Sequence, residues 1–270
     1  MSEPIDRIVA RVLASPKYRN VCEYTVRRIA SEEYGKRSTL KQAIKATKAR
    51  LHQVYGAYEV KVAYDRAYQS LENAYQSGEP GSVRQVCQRL LSLHVSTRER
   101  LPILDRFYAE IFAHTGVPHA VLDLACGLNP LALPWMGLDD SIAYYAYDID
   151  LSRVAFLNRY FALVGIEPRA RGQDVICDPP AERADVALLL KSSACLERQR
   201  ENSTLALLDA LDVSWVVVSF PVKSLGNREK GMLQHYTRRF TDMVSGRPWP
   251  ITPLVFDTEL VFVLCKEDWT

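Results

Sequence analysis

The sequence predicts an α/β fold in which a mainly parallel sheet, covered by helices, follows a helical amino-terminal domain. Up to about Ala113, apolar residues recur at helical spacing. From His119 onward, short β-rich apolar runs alternate with helical stretches. Strands that are apolar throughout and separated by helices are typical of parallel sheets covered on both faces.

Residues 1–113 form the first of two predicted domains. The first helix is indicated by apolar side chains at Ile5, Ile8, Val9 and Val12. Good helix formers fill residues 39–50, and Ser38 is placed to cap that helix. The sequence Gly78-Glu-Pro-Gly81 predicts a break, and a further helix is expected over residues 83–94.

Residues 114–270 form the second predicted domain, which contains the sheet. The predicted strands are residues 120–125, 142–148, 169–173 (short and weak), 184–190, 214–220, 254–256 and 259–265. Helices are expected between most of them, for example at residues 151–164, 196–211 and 232–244. The last two strands, joined by Asp257-Thr258, predict an antiparallel hairpin at the sheet edge. This strand order is that of a class I (Rossmann-like) methyltransferase sheet, and other doubly wound folds also fit it.

Composition argues against several classes of protein. The hydrophobic content of 48% is typical of a folded domain. No apolar run approaches the roughly 20 residues that cross a bilayer, and the amino terminus lacks the apolar core of a signal peptide. A cytoplasmic protein without a membrane partner is therefore expected. The six cysteines form no C-x-x-C pair and have no histidine at ligand spacing, so no metal is expected.

Positive charge is concentrated near the amino terminus. Met1 to Tyr58 hold 12 Lys and Arg against 5 Asp and Glu, a surplus of +7, although the whole chain carries only +2. Lys41, Lys45 and Lys48 fall on one helical face, where their mutual repulsion would be relieved by phosphate. The asymmetry favours a basic arm that binds a polyanion; a solvated basic face without a partner is the alternative.

Three aspartates are expected at the carboxyl ends of neighbouring strands, where open α/β sheets bind ligands. Asp123, Asp148 and Asp174 are separated by 25 and 26 residues, which is one strand–helix–strand repeat each. Gly127 permits close approach of a ligand to the backbone, and Pro130 suits the first turn of a helix. The alternative is that the aspartates only cap turns and helices.

The loop after the first strand favours one cofactor over another. It has a single glycine, whereas a nicotinamide dinucleotide site needs the G-x-G-x-x-G pattern beside its pyrophosphate. S-adenosylmethionine has no phosphate, so one glycine suffices. Asp148 could then accept hydrogen bonds from the ribose hydroxyls and Asp174 from the adenine amino group. An arginine within residues 96–100 could bind the methionine carboxylate, or could form only a surface salt bridge.

The loop after the fifth strand, residues 219–232, is the candidate substrate side. Its Lys223, Arg228 and Lys230 indicate an anionic substrate such as RNA. Aromatic residues available to stack on a base are Phe220, Tyr236 and Trp249, although core packing would also explain them. Asp178-Pro-Pro180 is similar to the Asp-Pro-Pro-Tyr motif of enzymes that methylate exocyclic amino groups, where the motif ends the fourth strand. Here it precedes that strand, so it is interpreted as a turn and not as this motif. This disfavours methylation of an amino group and fits a ring nitrogen such as guanine N7.

The chain resembles the aminoglycoside-resistance methyltransferases that act on guanine N7 of 16S ribosomal RNA. The resemblance runs over nearly the whole length and is carried by residues 18–28, 51–58, 93–101, Leu122-Asp-Leu-Ala-Cys-Gly-Leu-Asn-Pro-Leu-Ala132 and residues 219–232. It implies a helical domain that docks on the assembled small ribosomal subunit, and a catalytic domain that uses S-adenosylmethionine on a guanine of the decoding region. Methylation there would confer aminoglycoside resistance.

The resemblance also implies roles for individual residues. Arg100 would hold the cofactor carboxylate, Gly127 would lie against the cofactor, and Asp148 and Asp174 would contact ribose and adenine. The other implied cofactor-binding residues are Asp123, Ala125, Ile149, Val175 and Lys191. The residues implied on the catalytic, target side are Arg228, Lys230, Met232 and Glu259. The implied RNA-binding residues are Lys17, Lys41, Lys45, Lys48, Arg50 and His52.

One stretch departs from the family pattern. Residues 191–197 read Lys-Ser-Ser-Ala-Cys-Leu-Glu, whereas the family usually has Leu-Pro before Leu-Glu, so a loop of different shape is expected there. Three alternatives to guanine N7 methylation stay open: methylation of a neighbouring adenine N1, a catalytically silent ribosome-binding protein, and a methyltransferase of small molecules.

Overall fold

Three amino-terminal helices form a small unit with its own apolar core. The computed structural model describes residues 2–56, 62–222 and 229–266. The helices are α1 (Ser2–Leu13), α2 (Glu23–Tyr34) and α3 (Leu40–Leu51), and α3 is followed by a π-helical turn, His52–Gly56. We call residues 2–56 the amino-terminal unit. Its core consists mainly of Ile5, Ile8, Val12, Val26, Ile29, Ala43, Leu51 and Val54.

The cap of α3 differs from the sequence prediction. Thr39 is the N-cap, and its side-chain oxygen accepts a hydrogen bond from the Gln42 backbone N–H at 3.3 Å. The Ser38 hydroxyl instead donates to the Gln42 side-chain oxygen at 2.9 Å. The prediction of Ser38 as the cap was wrong because the extended residue directly before the first helical turn is Thr39.

Between the amino-terminal unit and the sheet, the described residues contain four further helices. They are α4 (Tyr64–Gln76), α5 (Ser82–Leu91), α6 (Val95–Arg100) and α7 (Leu104–Thr115). Phe107 and Tyr108 of α7 belong to the same apolar cluster as Val121 of the sheet. The predicted break between α4 and α5 is confirmed, since Gly78 and Gly81 both have positive φ there. The division of the chain at residue 113 stays a prediction, because α4, α5 and α7 share their core with the sheet.

The sheet has seven strands and the predicted α/β architecture. They are β1 (Ala120–Leu124), β2 (Ala143–Asp148), β3 (Ala170–Gly172), β4 (Ala184–Leu190), β5 (Val213–Pro221), β6 (Ile251–Val255) and β7 (Glu259–Cys265). Their order is β3-β2-β1-β4-β5-β7-β6, in which the first five run parallel. β7 is antiparallel to both neighbours, which confirms the terminal hairpin. The carboxyl ends of β1–β5 therefore meet at one edge.

Helices cover the sheet at α8 (Leu151–Leu163), α9 (Ser193–Gln199), α10 (Ser203–Ala210) and α11 (Glu229–Val244), with a 3-10 helix, Asn129–Trp135, after β1. One helix was predicted over residues 196–211, and two are found. The Glu197 carboxylate accepts hydrogen bonds from the backbone N–H groups of Asn202 and Thr204, and Asn202 has a φ of 59°. These side-chain contacts end α9 and start α10. None of the described helices is long and apolar enough to cross a membrane.

The amino-terminal unit is attached to the sheet at the end of β2. Val21 forms an isolated antiparallel bridge with Asp150. The Cys22 backbone N–H donates to the Ile149 carbonyl at 2.8 Å, and the Leu151 N–H donates to the Asn20 carbonyl at 2.8 Å. This joint places α2 beside the edge where the strands end.

Candidate functional site

Asp148, the last residue of β2, ties together the loops that follow β1 and β2. It is buried and accepts hydrogen bonds from the backbone N–H groups of Gly127 (2.9 Å) and Asp150 (2.8 Å) and from the Arg153 guanidinium (2.8 Å). Gly127 takes a φ of 57°, a conformation that favours glycine. A carboxylate has about four acceptor positions, so roughly one is left for a ligand.

Asp123, near the end of β1, has an oxygen that no described residue contacts by a hydrogen bond. Its Oδ2 accepts hydrogen bonds from the Asn129 amide at 2.9 Å and the Tyr144 hydroxyl at 2.8 Å. Its Oδ1 is buried and has no hydrogen-bond partner among the described residues. Burial raises the pKa of Asp123 to about 7. A buried oxygen left unpaired is costly, so this position favours a ligand that brings a positive charge or an N–H group.

Arg100, at the end of α6, is 2% exposed and faces Asp123 across Asn129. Its Nε and Nη2 donate to the Glu259 carboxylate at 3.0 and 2.7 Å, and its Nη1 donates to the Asn129 oxygen at 2.8 Å. Burial alone would lower the pKa of Arg100, but Glu259, together with Tyr108 and Asp123, outweighs the effect of burial, and the pKa is raised. A guanidinium has five N–H donors, so these contacts leave about two for an anionic ligand.

Lys191, directly after β4, completes a buried charged network. Its ammonium lies 3.1 Å from a Glu99 oxygen and 3.2 Å from a Glu259 oxygen. The Ser219 hydroxyl also donates to Glu259. Glu259 itself is wholly buried, so its contacts orient Arg100 and Lys191. Direct contact between Glu259 and a target base would require this network to open. The assignment of Glu259 to the target side stays a prediction.

Asp174, after β3, is held by a residue of the amino-terminal unit. Its Oδ2 accepts from Arg28 Nε at 2.9 Å, and its Oδ1 accepts from the Ile176 backbone N–H at 3.1 Å. The three aspartates thus lie at or just after the carboxyl ends of the neighbouring strands β1, β2 and β3, as the spacing predicted. Their role in binding a ligand stays a prediction. Arg28 was missed, although it lies in one of the segments that carry the family resemblance.

The other predicted cofactor residues line the same edge. Ala125 and Lys191 have φ values of 50° and 56°, so the loops after β1 and β4 both contain a residue in the left-handed region. Val175 is buried in the core of one sheet face, and Ile149 packs against the core of the amino-terminal unit. Sequence reasoning also missed Asn129, which bridges Arg100 and Asp123, and Arg153, which pairs with Asp148.

The predicted target side is described only in part. Arg228 and Lys223 lie outside the described residues, and so does the side chain of Lys230. Met232 is half-buried in the first turns of α11. Phe220 is buried and stacks on Tyr236, with ring centroids 5.0 Å apart, so core packing is the correct interpretation of Phe220.

An open basic groove lies on the amino-terminal unit. It is lined by Lys36, Arg37, Ser38, Gln42, Lys45, Ala46 and Ala49. Lys41 and Lys45 are exposed and Lys48 is half-buried. Lys36 and Arg37 were not singled out from the sequence, because they lie in the connection before α3 and not on its periodic face. The groove can receive an anionic chain by charge and shape.

The remaining predicted RNA-binding residues fall into two groups. Lys17 and His52 are exposed beside each other, with Lys17 Nζ 3.0 Å from His52 Nδ1. Arg50 instead donates to the backbone carbonyls of Arg198 (2.9 Å) and Gln199 (3.1 Å). Arg50 therefore connects α3 to the end of α9. Among the described residues no cluster of three or more His, Cys, Asp or Glu could hold a metal ion.

Comparison with known proteins finds close similarity over the whole chain. A family model described as ribosomal RNA methyltransferase (FmrO) matches residues 14–263. A 16S rRNA (guanine(1405)-N(7))-methyltransferase of Micromonospora echinospora is 40% identical over 265 residues, which are 97% of either chain. One of Serratia marcescens is 38% identical, over 97% of this chain and 98% of the relative. The crystal structure of the 16S rRNA methyltransferase RmtF with S-adenosyl-L-homocysteine superposes with a TM-score of 0.82 at 33% identity, covering 99% of this chain and 100% of that one.

Proposed function

The chain belongs to the FmrO family of ribosomal RNA methyltransferases, and from this premise we propose that it methylates N7 of a guanine in 16S ribosomal RNA with S-adenosylmethionine. The observation that carries the proposal is the row of three buried aspartates with Arg100 along one edge of the sheet. Arg100 supplies a positive charge at one end of the row, and the aspartates supply negative charges along it. S-adenosylmethionine is a zwitterionic nucleoside, so its binding requires both. The relatives that are 38% and 40% identical to this chain are both named as 16S rRNA (guanine-N7)-methyltransferases.

The residues at this edge fit the cofactor part by part. The two remaining N–H groups of Arg100 suit a carboxylate, and the unpaired Oδ1 of Asp123 suits the neighbouring ammonium group. Asp148 has room for one ribose hydroxyl without rearrangement, although the sequence suggested both. Asp174 can accept from the adenine amino group through a lone pair that its present partners leave free.

S-adenosylmethionine supplies an electrophilic methyl group on a sulfonium sulfur. Guanine N7 is a ring nitrogen with a free lone pair, so the protein needs no general base to prepare it. The catalytic task of the chain is to hold the two partners in line and to exclude water. The Arg100–Glu259–Lys191 network gives the cofactor side of the site a fixed geometry, since every member is buried and paired.

The proposed substrate is the decoding region of 16S RNA within the assembled small subunit, which places the protein in the cytoplasm. The basic groove and the exposed Lys17, Lys41 and Lys45 support RNA docking by the amino-terminal unit. Methylation at N7 adds positive charge and removes an acceptor at the site where cationic aminoglycosides bind, and resistance follows from this.

Expression in a susceptible bacterium tests the function directly. We expect resistance to 4,6-linked aminoglycosides with sensitivity to 4,5-linked ones retained, together with an N7-methylated guanine in the decoding region by mass mapping of 16S RNA. A modified adenine at N1 would favour the same fold acting on a neighbouring base. Unmodified RNA, together with no heat on cofactor titration, would instead identify a silent ribosome-binding protein.

Reversing the charge of the α3 lysines should weaken subunit binding. In the variant Lys41→Glu, Lys45→Glu and Lys48→Glu, we expect affinity for the small subunit at low salt to fall on the order of 100-fold, and the salt dependence of log K to flatten by about two units. The physical reason is that fewer counterions are released. Binding is measured by filter retention across a salt series.

A matched variant reverses three exposed arginines outside the amino-terminal unit, Arg66, Arg89 and Arg183. It changes the net charge by the same amount, so an effect of total charge alone would weaken both variants equally. Unchanged binding of the α3 variant across the salt series would contradict a role of these lysines in RNA docking.

A further inference from the structure

We propose that Arg28, on α2 of the amino-terminal unit, is a positioning residue of the cofactor site that makes Asp174 selective for adenine. The inference rests on the proposed function, because it takes Asp174 as the residue that faces the adenine ring. It adds that the selectivity is set by a residue of the RNA-docking helices, 146 positions away in the chain.

The contact between Arg28 and Asp174 is buried on both sides. Arg28 Nε donates to Asp174 Oδ2 at 2.9 Å, and the two side chains are 6% and 3% exposed. The other Asp174 oxygen accepts from the Ile176 backbone N–H at 3.1 Å, within the turn after β3. One donor thus comes from the local backbone and the other from α2. Together they fix the plane of the carboxylate, so that only its remaining lone pairs can meet a ligand.

The Arg28 guanidinium is itself fixed by further partners. Its Nη2 donates to the Gln199 side-chain oxygen at 2.7 Å, and its Nη1 lies 3.5 Å from a Glu32 oxygen. Gln199 ends α9, the helix that begins two residues after Lys191. Arg28 therefore connects the turn after β3 with the helix after β4. These are two of the segments that surround the cofactor edge of the sheet.

Other contacts hold α2 and α3 in the same position. Arg50 donates to the Arg198 and Gln199 carbonyls, and Arg200 pairs with Glu32 at 3.3 Å. At the neighbouring strand end, the Tyr55 hydroxyl donates to Asp150 at 3.3 Å. The amino-terminal unit is thus anchored on both sides of the predicted adenine position, which makes it part of the site's wall.

The chemistry of the pair explains the selectivity. An ionised carboxylate accepts a hydrogen bond from the 6-amino group of adenine, whereas it repels the 6-oxo group of hypoxanthine. Without Arg28, the buried Asp174 carboxylate would lose its cationic partner and the donor from α2, so turning towards solvent would become favourable. That change removes the acceptor that distinguishes the two bases. Arg28 consequently acts on the cofactor through Asp174, without touching the cofactor itself.

The test compares two ligands and four proteins by titration calorimetry. The ligands are S-adenosylhomocysteine and S-inosylhomocysteine, which differ only at the base. We expect the full-length protein to prefer the adenosine compound by roughly 10- to 100-fold. In Arg28→Met the affinity for the adenosine compound should fall at least tenfold, and the preference should approach one.

Arg27→Met is the matched control on the same helix. Arg27 pairs with Asp6 and Glu23 on the exposed face of α2. The Arg27→Met variant should therefore bind the adenosine compound with the affinity of the original protein, and should prefer it over the inosine compound to the same degree. Arg28→Lys keeps the charge but loses the fork of donors, and an intermediate preference is expected. It also serves as the test protein if Arg28→Met does not fold, since a purely structural role would lower stability without changing the ratio of affinities.

The possible results distinguish a failure of the role proposed for Arg28 from a failure of the proposed function. Retention of the preference in both Arg28 variants overturns the role of Arg28 while the proposed function stands. Binding of both compounds with equal affinity by the original protein overturns the assignment of Asp174 to adenine, and the role of Arg28 with it. No binding of either compound overturns the cofactor site itself.

Discussion

Arg100→Met is expected to lower the affinity for S-adenosylhomocysteine by about 100-fold or more and to abolish methylation of 16S RNA. The guanidinium is the buried cation proposed to hold the carboxylate of the cofactor, and a bond between charged groups in a dry site is worth more than one at the surface. Its loss also leaves Glu259 with Lys191 as its one cationic partner among the described residues. Removal of one member of a buried ion pair costs about 3–5 kcal/mol of stability.

A second ligand separates loss of binding from loss of stability. 5′-Methylthioadenosine lacks the amino-acid part, so Arg100 should contribute nothing to its binding. We expect the original protein to bind S-adenosylhomocysteine far more tightly than this fragment, and Arg100→Met to bind both about equally. A variant that still favoured the complete ligand as strongly as the original protein would contradict the carboxylate role. Urea unfolding gives the stability change separately.

Arg106→Met is the matched control for this substitution. Arg106 lies on the next helix, α7, and its guanidinium is half-exposed, near Glu110 and Asp257 and over the ring of Phe256. Exposed pairs of this kind contribute about 0–1 kcal/mol. The control should therefore leave cofactor affinity unchanged and stability nearly so.

The strands of the sheet were predictable because their burial leaves a continuous apolar signal. β4 and β5 are covered on both faces, and their runs of leucine and valine contrast with the polar loops between them. β6 was predicted too late in the chain, at residues 254–256 instead of Ile251–Val255. Pro253 obscured it, since proline is tolerated only where a strand has a free edge, and β6 is the edge of this sheet.

The aspartates of the site were predictable from spacing, whereas their partners were not. Asp123, Asp148 and Asp174 lie at or just after the ends of three successive strands at regular intervals, and the ends of parallel strands must meet at one edge. Arg28, which binds Asp174, reaches this edge from an element that lies far away in the sequence, and so does Glu259, whose contact with Arg100 was not predicted. Their approach depends on how the amino-terminal unit docks and on β7 lying beside β5, and no local periodicity encodes either.

Asp148→Asn, although nearly isosteric, is expected to lower both cofactor affinity and stability strongly. Every protein partner of Asp148 is a donor: the N–H groups of Gly127 and Asp150, and the Arg153 guanidinium. An asparagine amide must place its own NH₂ against one of these donors in either orientation, and Arg153 loses its closest anion. We expect a loss of about 2–4 kcal/mol in the free energy of unfolding. Affinity for S-adenosylhomocysteine should fall on the order of 100-fold, since the loop around Gly127 and the ribose acceptor are disturbed together.

Asp150→Asn, two residues further on, is the same chemical change, but we expect it to have little effect on stability or on cofactor affinity. Asp150 is the N-cap of α8, where its Oδ1 accepts from the N–H groups of Ser152 and Arg153, and asparagine caps helices about as well as aspartate. Its Oδ2 faces the Tyr55 hydroxyl, which can accept from an amide NH₂ as readily as it donates to a carboxylate. Arg153 Nη2 also lies 3.7 Å from this oxygen, which is beyond hydrogen-bond distance, and Arg153 keeps its shorter pair with Asp148. We therefore expect less than about 1 kcal/mol of destabilisation and nearly unchanged cofactor affinity. Equal effects of the two substitutions, in calorimetry and urea unfolding, would show that charge at this end of β2 matters and the direction of its hydrogen bonds does not.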